Sequence, residues 1–162
     1  MTDETKYVSR AGAKLAGALD AMGVDPAGWV CADFGCNVGG FTDCLIQRGA
    51  AKVYAVDTGY GALAWTMRQH ERVEVMERTN VLYCDVPEAV DLVVIDVGWT
   101  PQKKVIPTAA KWIKPGGRIV SLLKPTFEYD KQHPGERRNK RVPLTAEQTQ
   151  AVIDGVVAGL AE

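Results

Sequence analysis

The sequence predicts an α/β domain built on a mostly parallel sheet with helices on both faces. Three observations predict it. Strand-like apolar runs alternate with helix-like segments along the whole chain. One of those runs, VDLVVIDVG, is apolar enough to be covered on both faces. A length of 162 residues with 46% hydrophobic content suits a single globular domain spanning residues 1–162.

The elements follow in order. Ser9 is a plausible N-cap, and RAGAKLAGALDAMG behind it places Leu15, Leu19 and Met22 at helical spacing before Gly23 stops the helix. WVCADFG reads as a buried first strand. GFTDCLIQRGA reads as a helix stopped by Gly49. KVYAVD is the second strand, LAWTMRQH a short helix, RVEVME the third strand and VDLVVIDVG the fourth. TAAKWIKPGG reads as a helix with a glycine stop, and RIVSLLKP as the fifth strand. TAEQ at residues 145–148 is a capping box that opens a last helix reaching about Leu160.

Composition excludes several classes. A net charge of -1 gives no global footprint for nucleic acid, so any such surface is local. No apolar run is long enough to span a bilayer, and the polar MTDETKYVSR start lacks a signal-peptide core. The expected location is therefore the cytoplasm. Cys31, Cys36, Cys44 and Cys84 form no C-x-x-C pair and have no histidine at metal-ligand spacing. They read as small hydrophobes, with neither a metal site nor a disulfide.

In a doubly wound parallel sheet, ligands bind beyond the carboxyl ends of strands. The stretch DFGCNVGGFTDC lies at such an end. Asp33 closes the first strand, and Gly35, Gly39 and Gly40 turn the chain into a helix, with Cys36 and Asn37 in the same loop. The spacing D-x-G-x-x-x-G-G is not the G-x-G-x-x-G fingerprint of dinucleotide enzymes. Asp57 ends the second strand about twenty positions later, where a carboxylate can bind both hydroxyls of a ribose. Asp33, Asp57, Glu77 and Asp96 all lie at or near strand ends. A pyrophosphate would favour bare amides at a helix N-terminus. A ring of carboxylates favours a cationic nucleoside instead, which is S-adenosylmethionine, with its ammonium and sulfonium.

YVSRAGAKL, DFGCNVGGFTDCLIQRGAAKVYAVDTGYG, RVEVMERTN and LLKPTFE together resemble the hemolysin-A-like (TlyA) ribosomal RNA methyltransferases, among the FtsJ-type ribose 2′-O-methyltransferases. The likeness runs from about Tyr7 to Glu128. It implies a Rossmann-like S-adenosylmethionine-dependent methyltransferase fold and methyl transfer to a ribose 2′-hydroxyl of RNA, ribosomal RNA foremost. By matched position, Gly35, Gly39, Gly40 and Phe41 line the cofactor and Asp57 holds its ribose. Glu77, Thr79 and Asn80 sit by the adenine, and Asp96 near the methionine end. The family's Lys-Asp-Lys-Glu tetrad matches Lys14, Asp96 and Lys124. Its glutamate belongs to final strands expected to be missing before Glu162, and Glu128 is the nearest replacement. DVGWTPQ stands where the family has Ser-Phe after the aspartate, and Asn37-Val38 where it has Ser-Thr. No room is expected for the family's N-terminal RNA-binding domain.

The residues support that chemistry. A ribose hydroxyl is a poor nucleophile and needs in-line geometry and help in losing its proton. A lysine provides it as a base, or by setting its charge against the developing alkoxide. Lys124 is expected nearest the hydroxyl, Lys14 assisting, and Asp96 orienting both. Which lysine is the base stays open. Orientation of a held nucleophile contributes more than proton transfer.

KQHPGERRNKRVP is the local basic surface: Lys131, Arg137, Arg138, Lys140 and Arg141 against Glu136. It reads equally as a phosphate grip or as an exposed connection. Arg10, one turn before Lys14, is a second phosphate candidate. Trp29, Trp65 and Trp112 read as core, while Trp99, just past Asp96, is placed to stack on a base or shield the methyl group. His70 and His133 receive no role. Three other readings stay open: a non-catalytic S-adenosylmethionine- or RNA-binding module, a methyltransferase on a small molecule or protein, and, least supported, a dinucleotide oxidoreductase. A homodimer covering the open sheet fits both the RNA 2′-O-methyltransferase reading and the non-catalytic module.

Overall fold

The computed structural model describes residues 6–136, 138–139 and 141–161. Its centre is a five-stranded, all-parallel sheet of β1 (Val30–Phe34), β2 (Lys52–Val56), β3 (Val73–Met76), β4 (Val90–Ile95) and β5 (Ile113–Ser121), in the order β3-β2-β1-β4-β5. Strand order reverses between β1 and β4. The crevice beyond their carboxyl ends is therefore the place where such a sheet binds ligands.

Helices cover both faces. On one face, α1 (Arg10–Met22) and α2 (Gly40–Gln47) bury Leu15, Leu19, Phe41, Cys44 and Leu45 against Cys31, Val53 and Val94. Gly23 ends α1 in the left-handed region, as its sequence position predicts. Arg48 then ties the pair together with a 2.8 Å bridge to Asp20. The other face packs α4 (Gln102–Ala110) and Trp112 against Phe34, Val93 and Ile95, with the Phe34 and Trp112 rings edge to face at 5.0 Å. The central strands are enclosed on both sides, which explains why apolar residues dominate them. The short α3 (Trp65–Arg68) buries Met67 alone. Trp65 is 71% exposed, against its expected place in the core, because a single helical turn has one inward position to offer. No helix among the described residues is long and apolar enough to cross a membrane.

The second half departs from expectation in three places. The fourth helix spans Gln102–Ala110, not the TAAKWIKPGG stretch, because Gln102, Val105 and Ala109 set its inward stripe. Pro107 lies inside it, exposed, where the missing amide costs one bond on the solvent side. Strand β5 starts earlier, at Ile113, and carries Lys114-Pro-Gly-Gly through a register shift with Gly116 at φ +83. It ends at Ser121, so Lys124 does not close a strand. Lys124 is the N-cap of an unexpected helix, α5 (Pro125–Gln132), whose first residue is a proline. The last helix, α6 (Ala146–Ala161), opens on the predicted capping box. Thr145 Oγ1 accepts from Gln148 N at 3.1 Å, and Gln148 Oε1 accepts from Thr145 N at 3.0 Å.

Candidate active site at the strand ends

Register decides what converges. Phe34 pairs with Val56 and with Ile95, Val56 with Met76, and Ile95 with Ser121. The next residue on each of the first four strands is then Gly35, Asp57, Glu77 and Asp96. Three carboxylates and a glycine turn thus emerge side by side from one edge of the sheet.

The glycine turn is held tightly there. Gly35 and Cys36 donate to Val56 O at 2.8 and 3.1 Å, and Gly39 donates to Cys36 O at 2.7 Å. Gly35 has φ +86, and a Cβ on it would lie 2.7 Å from the Asp96 carbonyl oxygen. Only glycine lets this loop lie flat against the end of β4. Asn37 also takes a positive φ of 46, with its amide on Asp57 Oδ2 at 2.9 Å. Gly59 N binds Asp57 Oδ1 at 2.7 Å. The Asp57 carboxylate is oriented by two amides and keeps acceptor capacity toward solvent.

Glu77 is more enclosed. Burial works against its charge, but the Arg68 guanidinium at 2.6 Å and the Gly61 amide at 3.0 Å outweigh it and hold the carboxyl below its ordinary value. Thr79 donates its hydroxyl to the Glu77 carbonyl, and Asn80 Oδ1 accepts from Leu82 N, so both shape the turn after β3.

Asp33 departs from its expected role as a cofactor ligand. It is fully buried, because its side chain points beneath α2, where Thr42 Oγ1 donates to Oδ2 at 2.7 Å. Its other oxygen has no hydrogen-bond partner. Burial pushes the carboxyl up to about 7; the Thr42 bonds pull it down, and the charges of Asp96 and Asp57 add to the rise. It acts on the site from below.

Asp96 meets Lys124. Lys124 Nζ lies 2.5 Å from Asp96 Oδ1, and both side chains are partly open, at 37% and 23%. The contacted Oδ1 is enclosed, so the Lys124 ammonium is the charge set against it. A cavity of about 100 Å³ opens beside Asp96, lined by Ser9, Gly35, Asn37, Gly40 and Phe41. Lys14 is exposed on α1 and makes no ion pair with Asp96. It lines a separate groove with Phe41 and Leu122, and Phe41 also lines the Asp96 cavity. Of the three expected catalytic residues, Asp96 and Lys124 touch, while Lys14 lines the separate groove.

The basic candidates separate. Arg10, Lys131 and Arg141 are exposed. Arg138 is occupied, bonding Asp130 at 3.2 Å and the Val142 carbonyl at 2.7 Å. Arg137 lies outside the described residues, as does Lys140.

Some supporting residues gave no usable signal in the sequence. Asp43 accepts from Val8 N at 2.8 Å and fastens the segment before α1 to α2. Glu128, 3% exposed, accepts from Gln102 N at 2.8 Å and caps α4. Ser121 Oγ donates to Gln102 Oε1 at 2.6 Å, joining α4 to the end of β5. A buried acid in an apolar helix hints at Asp43. Nothing local pairs Glu128 with Gln102.

The sequence profile described as FtsJ-like methyltransferase matches residues 7–156. The chain belongs to that family. It is 45% identical over 136 residues to the 16S/23S rRNA (cytidine-2′-O)-methyltransferase TlyA of Mycobacterium tuberculosis, covering 82% of this chain and 50% of that protein. A solved structure described as a hemolysin from Streptococcus thermophilus is 31% identical with a TM-score of 0.85, covering 99% of this chain and 58% of the other. An S-adenosylmethionine dependent methyltransferase from Mesorhizobium loti, 21% identical with a TM-score of 0.56 over 65% of this chain and 50% of its own, shares the fold. The chain spans about half the length of the curated relatives it matches. An aspartate at the end of β4 faces a lysine carried beyond β5. Here the two are in contact.

Proposed function

We propose that this FtsJ-like chain uses S-adenosylmethionine to methylate a ribose 2′-hydroxyl of ribosomal RNA in the cytoplasm. The observation that carries the reading is the Asp96–Lys124 pair, set beside the glycine turn at the switch point of the sheet. The name and 45% identity of the tuberculosis relative support the substrate class.

The residues fit the cofactor. Its cationic end suits the Asp96 carboxylate, which lines the small cavity beside the glycine turn. Gly35, Gly39 and Gly40 let the turn pack closely on the Asp96 carbonyl, Leu63 and Ser9, which sets its backbone beside the cavity. Asp57, already aimed by two amides, takes the ribose hydroxyls, and the Glu77–Thr79–Asn80 turn borders the base. When bound, S-adenosylmethionine supplies an electrophilic methyl group.

The remaining work falls to this chain. Asp96 holds the Lys124 ammonium in place. Lys124 turns a proton donor toward the ribose oxygen and offsets the negative charge that grows there as the hydroxyl proton passes to solvent water and the oxygen takes the methyl carbon. Lys14, in the separate groove that Phe41 also lines, adds a second positive charge at the rim. Glu128 is committed to α4 and supports the loop instead of acting as a fourth catalytic group. Arg10, Lys131 and Arg141 offer phosphate contacts. A second copy of the chain along the free edge of β5 is compatible with this site.

The test is incubation with ribosomal RNA and methyl-labelled cofactor, followed by alkaline hydrolysis. Label in alkali-resistant dinucleotides supports 2′-O transfer. Label in protein, in small molecules or in bases contradicts it.

A further inference from the structure

A second concavity lies apart from the cavity beside Asp96 and shares none of its lining residues. It is a groove of about 800 Å³ bounded by α6 on one side and by the start of α4 and the Trp99 loop on the other. That size is in the range of ligand clefts, roughly 300–1,000 Å³. Lys103 and Lys104 from α4 and Lys131 from α5 line it, all exposed. Neither Lys103 nor Lys104 makes an ion pair among the described residues. The only acidic side chain in the described lining, Glu128, is enclosed and bound to the Gln102 amide. The groove is therefore a positive channel within a chain of net charge -1.

The Trp99 loop links the groove to the neighbourhood of Lys124. Trp99, 38% exposed, forms part of its wall. A Cβ on the adjacent Gly98 would lie 3.7 Å from Lys124 Nζ, so the loop that presents the indole also packs on the catalytic ammonium. The opposite wall runs along α6, where Gly155 and Gly159 keep it low.

We propose that this groove seats a single-stranded stretch of the RNA, the nucleotides flanking the target ribose. Trp99 stacks on a base, and Lys103, Lys104 and Lys131 take phosphates. The inference rests on the RNA reading above and specifies where the strand lies. Aromatic faces that recognise RNA stack on unpaired bases, and a groove of phosphate-binding lysines beside an aromatic is the usual single-strand platform. An acidic peptide would use the lysines but has less need of an aromatic face beside Lys124.

Two variants test it. An added Cβ at Gly159 meets nothing within 4 Å, so Gly159→Leu can be placed there and narrows the groove that Gly159 lines. Lys103→Ala/Lys104→Ala/Lys131→Ala removes the charges. The probe is a short fluorescent single-stranded oligoribonucleotide, with the matching hairpin duplex as a second arm. It is followed by anisotropy over a salt series, with S-adenosylmethionine affinity measured alongside. The expected result is a roughly tenfold or greater loss of single-strand affinity in both variants and unchanged cofactor affinity. In the lysine variant the salt slope should also shrink by about 2, near 0.7 per phosphate contact. Wild-type binding to single strands with both variants unaffected overturns the groove proposal alone, as does preference for the duplex. Equal loss of cofactor affinity in Gly159→Leu overturns it too, by assigning the groove to the cofactor. No RNA binding by the wild type overturns the RNA reading itself.

Discussion

Replacing Asp33 by asparagine tests how the buried floor of the site is charged. Asp33 is fully enclosed, with one oxygen on the Thr42 hydroxyl and the other without a partner. Burial raises its carboxyl from an ordinary 3.8 to about 7. The folded state therefore holds the proton more tightly than the unfolded chain does. This group's favourable contribution is complete below pH 3.8, declines as pH rises, and is gone once pH passes about 7. At about 1.4 kcal/mol per pKa unit, the whole effect is on the order of 4 kcal/mol, of which roughly 2–3 falls between about pH 5 and pH 8. The asparagine side chain carries no charge at either pH. Urea unfolding of both proteins at the two pH values gives the answer. The variant should gain on the wild type by roughly 2–3 kcal/mol on going from about pH 5 to pH 8. Thr42→Val, which removes the bond favouring the charged form, should move the window to higher pH. A stability difference between wild type and Asp33→Asn that is the same at both pH values would refute the reasoning.

Other outcomes follow from the same contacts. Glu128→Ala strips the Gln102 amide of its acceptor and should destabilise by about 1–3 kcal/mol in urea, with Glu128→Gln losing less. Gly35→Ala drives a Cβ against the Asp96 carbonyl at a positive φ; it should cost about 1–3 kcal/mol in thermal unfolding and weaken cofactor binding measured by calorimetry. Arg68→Met leaves Glu77 without its guanidinium and should cost about 1–3 kcal/mol near neutral pH. Because Glu77 is held below its ordinary 4.5, that loss should fade as acid titration neutralises the carboxylate, which paired unfolding curves at neutral and acid pH will display.

Much of this architecture was legible because local signals and tertiary placement agree. The apolar runs of β1 and β4 announce burial on both faces, Gly23 and Gly49 mark helix ends, and the Thr145–Gln148 box opens α6 where it should. Asp57, Glu77 and Asp96 could be placed at strand ends because each follows an apolar run directly. Signals that conflict with tertiary structure misled. Pro107 looks like a boundary yet sits inside α4, where Val105 and Ala109 outweigh one lost hydrogen bond. The Lys124–Pro125 pair looks like a strand end, but proline at the first turn also starts a helix. Asp33 could not be told from its neighbours, since register fixes which carboxylates emerge while side-chain direction decides which is covered. The contacts of Glu128 with Gln102, and of Gly98 with Lys124, join segments far apart in the chain and leave no periodic trace.

The central claim is that Asp96 holds the Lys124 ammonium where a ribose hydroxyl gives up its proton. Single-turnover transfer of labelled methyl to ribosomal RNA by the wild type and Lys124→Ala tests it most directly. The account predicts a fall of roughly 10²–10⁴-fold in rate with cofactor affinity nearly unchanged. A Lys124→Ala protein that transfers the label within a few-fold of the wild-type rate would contradict it.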